Sequence, residues 1–363
     1  MGRIVLFGAT GYTGKLAAQA LIDRGEKPVL AARSAEKLEQ LAGELGGGLE
    51  TAQADVSRPD TVRALVERGD VLLTTVGPFS RWGAPAVEAA VAAGAHYIDS
   101  TGEPEFIRSV FERYGPGAQA AGCGLVTAFG YDWVPGNLAG ALALRDAGEG
   151  ATRLDVGYYN TGRTTSADMS GGTRASAAGA ITAPSFAWRG KRIVTERGAK
   201  GVRSFSVRGK DRPAISVGSS EHFALPRLAP DLREVNIYLG WFGPASRPMQ
   251  AMSLVASAPG VGRAMGALSE RFVKGSTGGP DATQRAKSGS HVQAFAYDGA
   301  GRELAHVVME GPNGYTLTGD FLAWGAARAA NEGMNGTGAL GPVDAFGLDE
   351  LEAACAKAGL KRV

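Results

Sequence analysis

Cysteine and histidine are scarce in this chain, which has two cysteines and four histidines among its 363 residues. Cys123 and Cys355 are far apart in sequence, so they predict no disulfide framework and favour a reducing, cytoplasmic compartment. No two histidines have the close spacing of a helical zinc motif, and neither cysteine lies near one of them. We therefore expect no bound metal.

The chain also lacks an excess of charge and a long apolar run. Its 38 basic and 36 acidic residues leave a net charge of +2, which is too balanced for a dedicated nucleic-acid-binding protein. No apolar run approaches the length of a membrane span, and the chain opens on a strand from Arg3 rather than on a cleavable signal. A hydrophobic content of 44% is that of a soluble globular protein.

Two common catalytic motifs are missing. There is no G-x-S-x-G elbow, which argues against a hydrolase of that type. No tyrosine is followed four residues later by a lysine, so the Tyr-x-x-x-Lys pair of short-chain dehydrogenases is absent. The sequence therefore argues against carbonyl–alcohol chemistry of the usual short-chain kind.

A glycine-rich turn near the start of the chain carries the strongest positive signal. Four apolar residues, Ile4 to Phe7, lead into the pattern G-x-x-G-x-x-G, and a helical pattern follows from Lys15. Such a turn brings backbone N–H groups and the positive helix end against a pyrophosphate. The alternative is a strand–helix turn without a ligand. We assign the turn to a dinucleotide, with contacts from Gly8, Ala9, Thr10, Gly11, Tyr12, Thr13 and Gly14.

The end of the second predicted strand indicates which dinucleotide is bound. NAD-selective folds usually place Asp or Glu here to hold the ribose 2′-hydroxyl, but this chain has Arg33, Ser34 and Lys37. A guanidinium binds a phosphate with two parallel hydrogen bonds, and the hydroxyl and the ammonium group strengthen the site. We therefore predict NADP(H). Ser34 is also a good helix N-cap, and the two roles are compatible.

Further strands and helices alternate as in a parallel sheet with helices on both faces. The predicted strands are Lys27–Ala32, Thr51–Val56, Val71–Val76, His96–Asp99 and Gly124–Phe129. Open α/β sheets bind ligands at the carboxyl ends of their strands. We therefore predict additional cofactor contacts, near the adenine and beyond the fourth strand, from Asp55, Val56, Val76, Gly77, Pro78 and Phe79.

The chain exceeds the size at which a single core usually stops growing, so two domains are expected. We predict a doubly wound Rossmann domain at residues 1–131 and about 313–363, with an inserted α+β substrate and dimerisation domain at 132–312. Strands are expected at 191–197, 202–208, 233–242, 291–297 and 302–310, with a mobile loop at 274–287. Helices are expected at 138–144, 170–183, 245–257, 260–273, 315–332 and 349–358.

Several motifs together resemble those of the saccharopine-dehydrogenase-like reductases, and within that group those of the trans-acting enoyl reductases. They are Gly8–Gly14, Val76–Phe79, Tyr97–Asp99 with Gly102–Glu103, Gly130–Asp132 with Pro135, Ser170–Thr173 and Gly311–Tyr315. The resemblance implies an α/β fold with an N-terminal Rossmann domain and C-terminal helices that return to it. It also implies NADP-dependent reduction of a small-molecule substrate, which a carrier protein could present as a thioester, by a homodimer.

Candidate catalytic residues follow the ends of the fifth and sixth strands. Tyr131 could donate a proton or hold a carbonyl oxygen, whereas Asp132 or Glu103 could protonate a carbon or bind an amine. The alternative for Tyr131 is a packed aromatic residue, and that for Asp132 is a turn residue that caps the next helix.

Three functions remain open at this stage. The first is NADPH-dependent reduction of an activated C=C bond, free or thioester-linked, in secondary metabolism. The second is saccharopine-type reduction of a C=N bond in an amino-acid-like substrate, for which Arg163, Arg174 and Glu103 are candidate ligands. The third is an NADP-binding sensor without catalysis.

Overall fold

A computed structural model describes residues 2–162, 184–257 and 278–363. The described chain forms two compact units. The first unit contains the residues up to Thr101, Phe106–Val134 and Tyr315–Glu350. The second unit contains the described residues of Gly102–Glu105, Pro135–Gly314 and Leu351–Val363.

The first unit is built on a seven-stranded sheet, whose strands are β1 (Ile4–Phe7), β2 (Val29–Ala32), β3 (Thr51–Gln53), β4 (Val71–Thr74), β5 (His96–Asp99), β6 (Gly124–Val126) and β15 (Gly338–Ala339). Their order across the sheet is β15-β6-β5-β4-β1-β2-β3. All of its recorded strand pairs are parallel. Six of the strands follow the doubly wound 3-2-1-4-5-6 order, which confirms the predicted Rossmann fold.

Burial on both faces explains why these strands are apolar throughout. β1, β2 and β4 consist entirely of buried residues, as expected for a parallel sheet between helices. The pairing places Phe7 beside Thr74, and Thr74 beside Asp99. The carboxyl ends of β1, β4 and β5 therefore reach the same edge of the sheet.

The helices have the following bounds. In chain order they are Tyr12–Asp23, Ala35–Glu44, Pro59–Arg63, Phe79–Trp82, Ala84–Ala93, Pro104–Ser109, a π-helix at Val110–Tyr114, Gly115–Ala121, Val134–Ala147, Glu221–Ala224, a 3₁₀ turn at Leu225–Arg227, a second at Gly243–Ala245, Ser246–Ala256, Ala282–Arg285, Gly314–Glu332, Pro342–Phe346 and Leu348–Lys357. Among the described residues, none of these helices has both the length and the apolar character needed to cross a membrane.

The second unit contains a mixed nine-stranded sheet centred on β7, which pairs parallel with β12 and antiparallel with β13. Its path runs β10-β11-β12-β7-β13-β14-β16, and β8 pairs with both β12 and β9. The strands are β7 (Arg153–Gly162), β8 (Pro184–Arg189), β9 (Arg192–Arg197), β10 (Val202–Val207), β11 (Lys210–Ser216), β12 (Glu234–Leu239), β13 (Ser288–Tyr297), β14 (Glu303–Pro312) and β16 (Lys361–Arg362).

The polar–apolar alternation of residues 292–297 predicts one solvated face for β13, and that interpretation is wrong. Gln293 is only 1% exposed, and its side-chain amide donates to the carbonyl oxygen of Ser206 in β10. The Phe205 ring packs against Phe295 with centroids 5.9 Å apart. β10 therefore covers the face of β13 that the pattern predicts to be exposed.

Other predicted segments differ in detail. The described part of the predicted loop at 274–287 contains a short helix, Ala282–Arg285. The side chain of Asp281 caps its N-terminus. The predicted helices at 170–183 and 260–273 lie outside the described residues. At the C-terminal end, residues 351–363 group with the second unit rather than the first, because β16 pairs with β14.

Candidate active site

The glycine-rich turn has the geometry of a phosphate cradle. Gly8 follows β1 with a φ of 91°, a backbone conformation that favours glycine. A Cβ on Gly14 would lie 2.9 Å from the Cα of Ala9, so Gly14 permits the close approach of helix and turn. A Cβ on Gly11 would come no nearer than 3.3 Å to its nearest protein neighbour, the carbonyl oxygen of Gly8. Packing within the protein therefore requires glycine less strictly at position 11 than at position 14.

The helix behind this turn begins at Tyr12 and has no acidic residue in its first turn. Its N-cap, Gly11, contributes no side-chain hydrogen bond. The positive end of the helix dipole therefore favours an anion at this turn.

The turn after β4 lies directly against the glycine turn. The Thr75 hydroxyl donates to the carbonyl oxygen of Gly8 at 3.1 Å. A Cβ on Gly8 would lie 2.9 Å from the Val76 side chain. Gly77 and Pro78, joined by a cis peptide bond, follow, and Phe79 begins a short helix. The structure therefore brings the predicted residues 76–79 beside residues 8–14.

The predicted 2′-phosphate residues follow β2. Arg33 and Lys37 are exposed, and Ser34 is the N-cap of the helix Ala35–Glu44, accepting from the backbone N–H of Lys37 at 3.3 Å. The structure therefore confirms that Ser34 caps this helix. In the sequence, Ser34 stands between the two cationic residues Arg33 and Lys37.

Sequence reasoning missed Arg58 in this region. Asp55 accepts from the backbone N–H and the hydroxyl of Ser57, both at 2.9 Å, and these bonds lower the pKa of its carboxyl group. The positive charges of Arg33 and Arg58 lower this pKa further. Arg58 could have been found from its position in the sequence, three residues after Asp55 and beyond β3, the strand that pairs with β2.

Tyr131 and Asp132 occupy the turn that follows β6. The predicted strand to Phe129 ends at Val126 because Ala128 adopts a φ of 61°, outside the strand region. The backbone N–H of Tyr131 donates to the Thr318 hydroxyl at 3.0 Å, which ties the turn to the long helix Gly314–Glu332. The Tyr131 side chain is buried, and the peptide bond between Asp132 and Trp133 is cis.

The carboxyl group of Asp132 is in an unusual environment. Its Oδ1 atom is buried and forms no hydrogen bond with any residue that the structure describes. Burial raises the pKa of this carboxyl group to about 7. The next helix begins at Val134, and Oδ1 does not cap it. An acid that still holds its proton near neutral pH is suited to proton donation.

Glu103, the third catalytic candidate, groups with the second unit, whereas Tyr131 and Asp132 belong to the first. The structure thus brings Tyr131 and Asp132 together on one turn, and it does not place Glu103 in the same unit. The predicted substrate residues Arg163 and Arg174 lie outside the described residues.

Comparison with known proteins identifies the family. Residues 4–123 match the saccharopine dehydrogenase NADP binding domain. A protein named putative trans-acting enoyl reductase from Mycobacterium tuberculosis is 31% identical over an alignment of 368 positions, which covers 88% of this chain and 86% of that protein. The chain belongs to the saccharopine-dehydrogenase-like family that includes the trans-acting enoyl reductases. A trans-acting enoyl reductase of Mycobacterium leprae is 41% identical over 140 residues, 37% of this chain and 34% of the relative.

Solved structures agree on the fold of this family. Saccharopine dehydrogenase (L-Glu forming) from Saccharomyces cerevisiae aligns with a TM-score of 0.61 at 11% identity and covers 100% of this chain and 99% of its own. Homospermidine synthase from Legionella pneumophila, in complex with NAD, aligns with a TM-score of 0.62 at 11% identity and covers 99% and 90%. At this identity the likeness establishes the two-domain fold alone.

As a member of this family, the protein is an NADP-dependent oxidoreductase, which confirms the predicted cofactor and enzyme class. The residues present fit the cofactor. Gly11 leaves room for a pyrophosphate at a helix N-terminus without acidic residues, and Arg33 supplies an exposed cation after β2. The individual contacts of residues 8–14, 33, 34, 37, 55, 56 and 76–79 with NADP remain our proposal.

Two glycine substitutions should separate folding from cofactor binding. Gly11→Ala should weaken NADPH binding at least about tenfold, because its methyl group would occupy space next to the pyrophosphate, and it should leave the melting temperature within about 3 °C of the wild-type value. Gly14→Ala should instead lower the melting temperature by more than about 5 °C, because its Cβ would meet the backbone of Ala9. Calorimetric titration and thermal denaturation measure the two effects. Wild-type NADPH affinity in Gly11→Ala would remove this turn from the cofactor site.

Proposed function

We propose that this protein reduces an activated C=C bond with NADPH, the acceptor being an α,β-unsaturated acyl thioester, free or on a carrier protein, in secondary metabolism. The name of the relatives, trans-acting enoyl reductase, supports enoyl chemistry. The observation that carries the proposal is the carboxyl group of Asp132, whose Oδ1 is buried without a hydrogen-bond partner among the described residues and whose pKa is raised.

Reduction of such a bond requires a hydride at the β-carbon and a proton at the α-carbon. NADPH supplies the hydride when bound. The protonated carboxyl group of Asp132 gives its proton to the α-carbon of the resulting enolate, and solvent returns a proton to the carboxylate before the next turnover. The Tyr131 hydroxyl holds the thioester oxygen, on which negative charge develops. The saturated thioester and NADP⁺ are the products.

The pKa of about 7 gives this step a defined pH dependence. Below pH 7 the carboxyl group is mainly protonated and can act as a donor. Above pH 7 the protonated fraction falls tenfold for each pH unit, so turnover should fall in proportion when proton transfer limits the rate.

Purified protein, NADPH and two kinds of acceptor test the proposal directly. NADPH oxidation is followed at 340 nm with an α,β-unsaturated acyl thioester, and separately with an imine formed from an amino acid and an aldehyde. Thioester turnover supports the proposal, whereas turnover with the imine alone would overturn it in favour of the saccharopine-type reaction. Tight NADPH binding without turnover on either acceptor would favour the sensor hypothesis.

Tyr131→Phe should lower kcat on the thioester about tenfold to a hundredfold, because the variant loses the hydroxyl that holds the enolate oxygen. NADPH affinity should stay within about threefold of the wild-type value, since Tyr131 is assigned no cofactor contact. Steady-state kinetics and calorimetric titration measure the two quantities. Wild-type kcat in this variant would remove the Tyr131 hydroxyl from the reaction.

We further propose that the protein is a cytoplasmic homodimer and that its acceptor is presented by a separate partner enzyme. The trans-acting name of the relatives supports the second point. Light scattering of the purified protein checks the dimer.

A further inference from the structure

Asp99, at the end of β5, is a buried carboxylate with three hydrogen-bond donors. The side chain accepts from the backbone N–H of Ala128 at 2.8 Å and from that of Thr101 at 2.8 Å. It also accepts from the Thr127 hydroxyl at 2.7 Å. The residue is 0% exposed, so these donors stand in for water around the carboxylate.

Two of these donors belong to the segment that leads into the catalytic turn. Ala128 adopts the left-handed conformation with a φ of 61°, which is unfavourable for an alanine and needs support from its surroundings. The carbonyl oxygen of Ala128 in turn accepts from the backbone N–H of Trp133 at 2.8 Å. A continuous path of two hydrogen bonds therefore runs from Asp99 through Ala128 to the residue next to Asp132.

The backbone of β5 adds to this support. The backbone N–H of Phe129 donates to the backbone carbonyl oxygen of Asp99 at 2.7 Å. At the other end of the turn, the backbone N–H of Val134 donates to the carbonyl oxygen of Gly130 at 3.0 Å. Residues 127–134 are thus held at both ends of the turn, and their anchor at the sheet is Asp99.

We infer that Asp99 is a positioning residue that fixes the turn of Asp132 so that Oδ1 of the proton-donating carboxyl group stays buried and away from backbone donors. This inference rests on the proposed role of Asp132. If the turn were released, Oδ1 of Asp132 would gain hydrogen bonds that favour its ionised form. Asp99 itself does not touch the reacting atoms in this account.

The chemistry of the donors explains why an aspartate stands at position 99. All three groups donate, so a carboxylate with two acceptor oxygens can satisfy them together. The two backbone N–H groups donate to Oδ1 and the Thr127 hydroxyl donates to Oδ2. An asparagine oxygen could still accept from the two N–H groups, but its NH₂ group would have to donate to the Thr127 hydroxyl, and the negative charge that holds all three groups would be lost. Burial raises the pKa of Asp99 to about 6, and the hydrogen bonds from Ala128, Thr101 and Thr127, together with the nearby Tyr97 hydroxyl, oppose that rise. The carboxylate is therefore mainly ionised at pH 7 and above.

Asp99→Asn is the first test, carried out on the full chain with NADPH bound. We expect kcat on the thioester to fall at least about tenfold, with NADPH affinity within about threefold of the wild-type value. The pKa of Asp132 should fall below that of the wild type, as measured by NMR of protein labelled with ¹³C at the aspartate carboxyl groups. Asp132→Asn identifies the resonance of Asp132 by its loss, and Asp99→Asn identifies that of Asp99 in the same way.

A milder pair of variants covers the case in which Asp99→Asn does not fold. Thr127→Val removes one donor, whereas Thr127→Ser retains the hydroxyl. We expect Thr127→Val to lower both kcat and the pKa of Asp132, and Thr127→Ser to restore both. Wild-type values in Thr127→Val, or the same loss in Thr127→Ser as in Thr127→Val, would overturn the inference.

The NMR measurement also separates this inference from the proposed function. If the wild-type protein does not reduce the thioester but the pKa of Asp132 still falls in Asp99→Asn or Thr127→Val, enoyl reduction is wrong and the positioning role stands. If the wild-type protein reduces the thioester and Asp99→Asn folds with unchanged kcat and an unchanged pKa of Asp132, the positioning role is wrong and the proposed function stands.

Discussion

Asp132→Asn should lower kcat on the thioester by about 10²–10⁴-fold at pH 6.5, with NADPH affinity close to the wild-type value. The amide keeps the size of the side chain but has no acidic proton. The carboxyl group that it replaces has a buried Oδ1, which has no hydrogen-bond partner within residues 2–162, 184–257 and 278–363, and a pKa of about 7. Both properties suit a proton donor. Stopped-flow measurement of NADPH oxidation with saturating thioester gives the rate directly.

The pH dependence sharpens this test. Wild-type kcat should decline above pH 7, and the residual activity of Asp132→Asn should not show that decline. Asp298→Asn is a suitable control, because Asp298 lies in the β13–β14 turn and its pKa is lowered, not raised. A decline above pH 7 that persists in Asp132→Asn would assign the ionisation to another group.

Asp132→Asn should lower kcat but should make the folded protein more stable relative to the wild type as the pH rises. The pKa of Asp132 is higher in the folded protein than in the unfolded chain, where it is about 3.9. The wild-type protein therefore loses stability as pH rises from about 4 to about 7, because the folded state resists ionisation of this group. Asp132→Asn avoids that loss, so its advantage in melting temperature should grow over this range and then level off.

Arg33→Ala should weaken NADPH binding about 10- to 100-fold and leave NADH binding within about threefold of the wild-type value. The exposed guanidinium after β2 is free to bind the 2′-phosphate with two parallel hydrogen bonds, and NADH lacks that phosphate. The preference for NADPH should also weaken at high salt, because exposed charges are screened. Calorimetric titration with both cofactors at low and high ionic strength measures these effects.

Three further variants define which cation binds the phosphate. Arg58→Ala should reduce the preference for NADPH if the second guanidinium near Asp55 shares the phosphate. Lys37→Ala should have a smaller effect, because an ammonium group lacks the planar fork of arginine. Arg192→Ala, on an exposed strand of the second sheet, should have none. An unchanged NADPH to NADH ratio in Arg33→Ala would show that the 2′-phosphate is bound elsewhere.

The first half of the chain was predictable because its signals are local. The β1 strand, the glycine turn and the helix Tyr12–Asp23 are contiguous, so the pattern contains the whole supersecondary unit. Strands buried on both faces are apolar throughout, which makes β2 and β4 visible in the sequence. The prediction for β13 failed because alternation records which residues are polar, while β10, more than 80 residues earlier, decides which face is covered.

Sequence alone therefore determined the fold class, the cofactor and the position of Tyr131 and Asp132 after β6. Only the tertiary structure decided what environment the Asp132 carboxyl group has, and that Asp99 and Thr318 support its turn. The physical reason is distance along the chain: Asp99 and Ala128 are 29 residues apart, and Tyr131 and Thr318 are 187 apart. Burial and hydrogen bonding between such residues exist only in the folded chain, and they turn an ordinary aspartate into an acid with a pKa near neutrality.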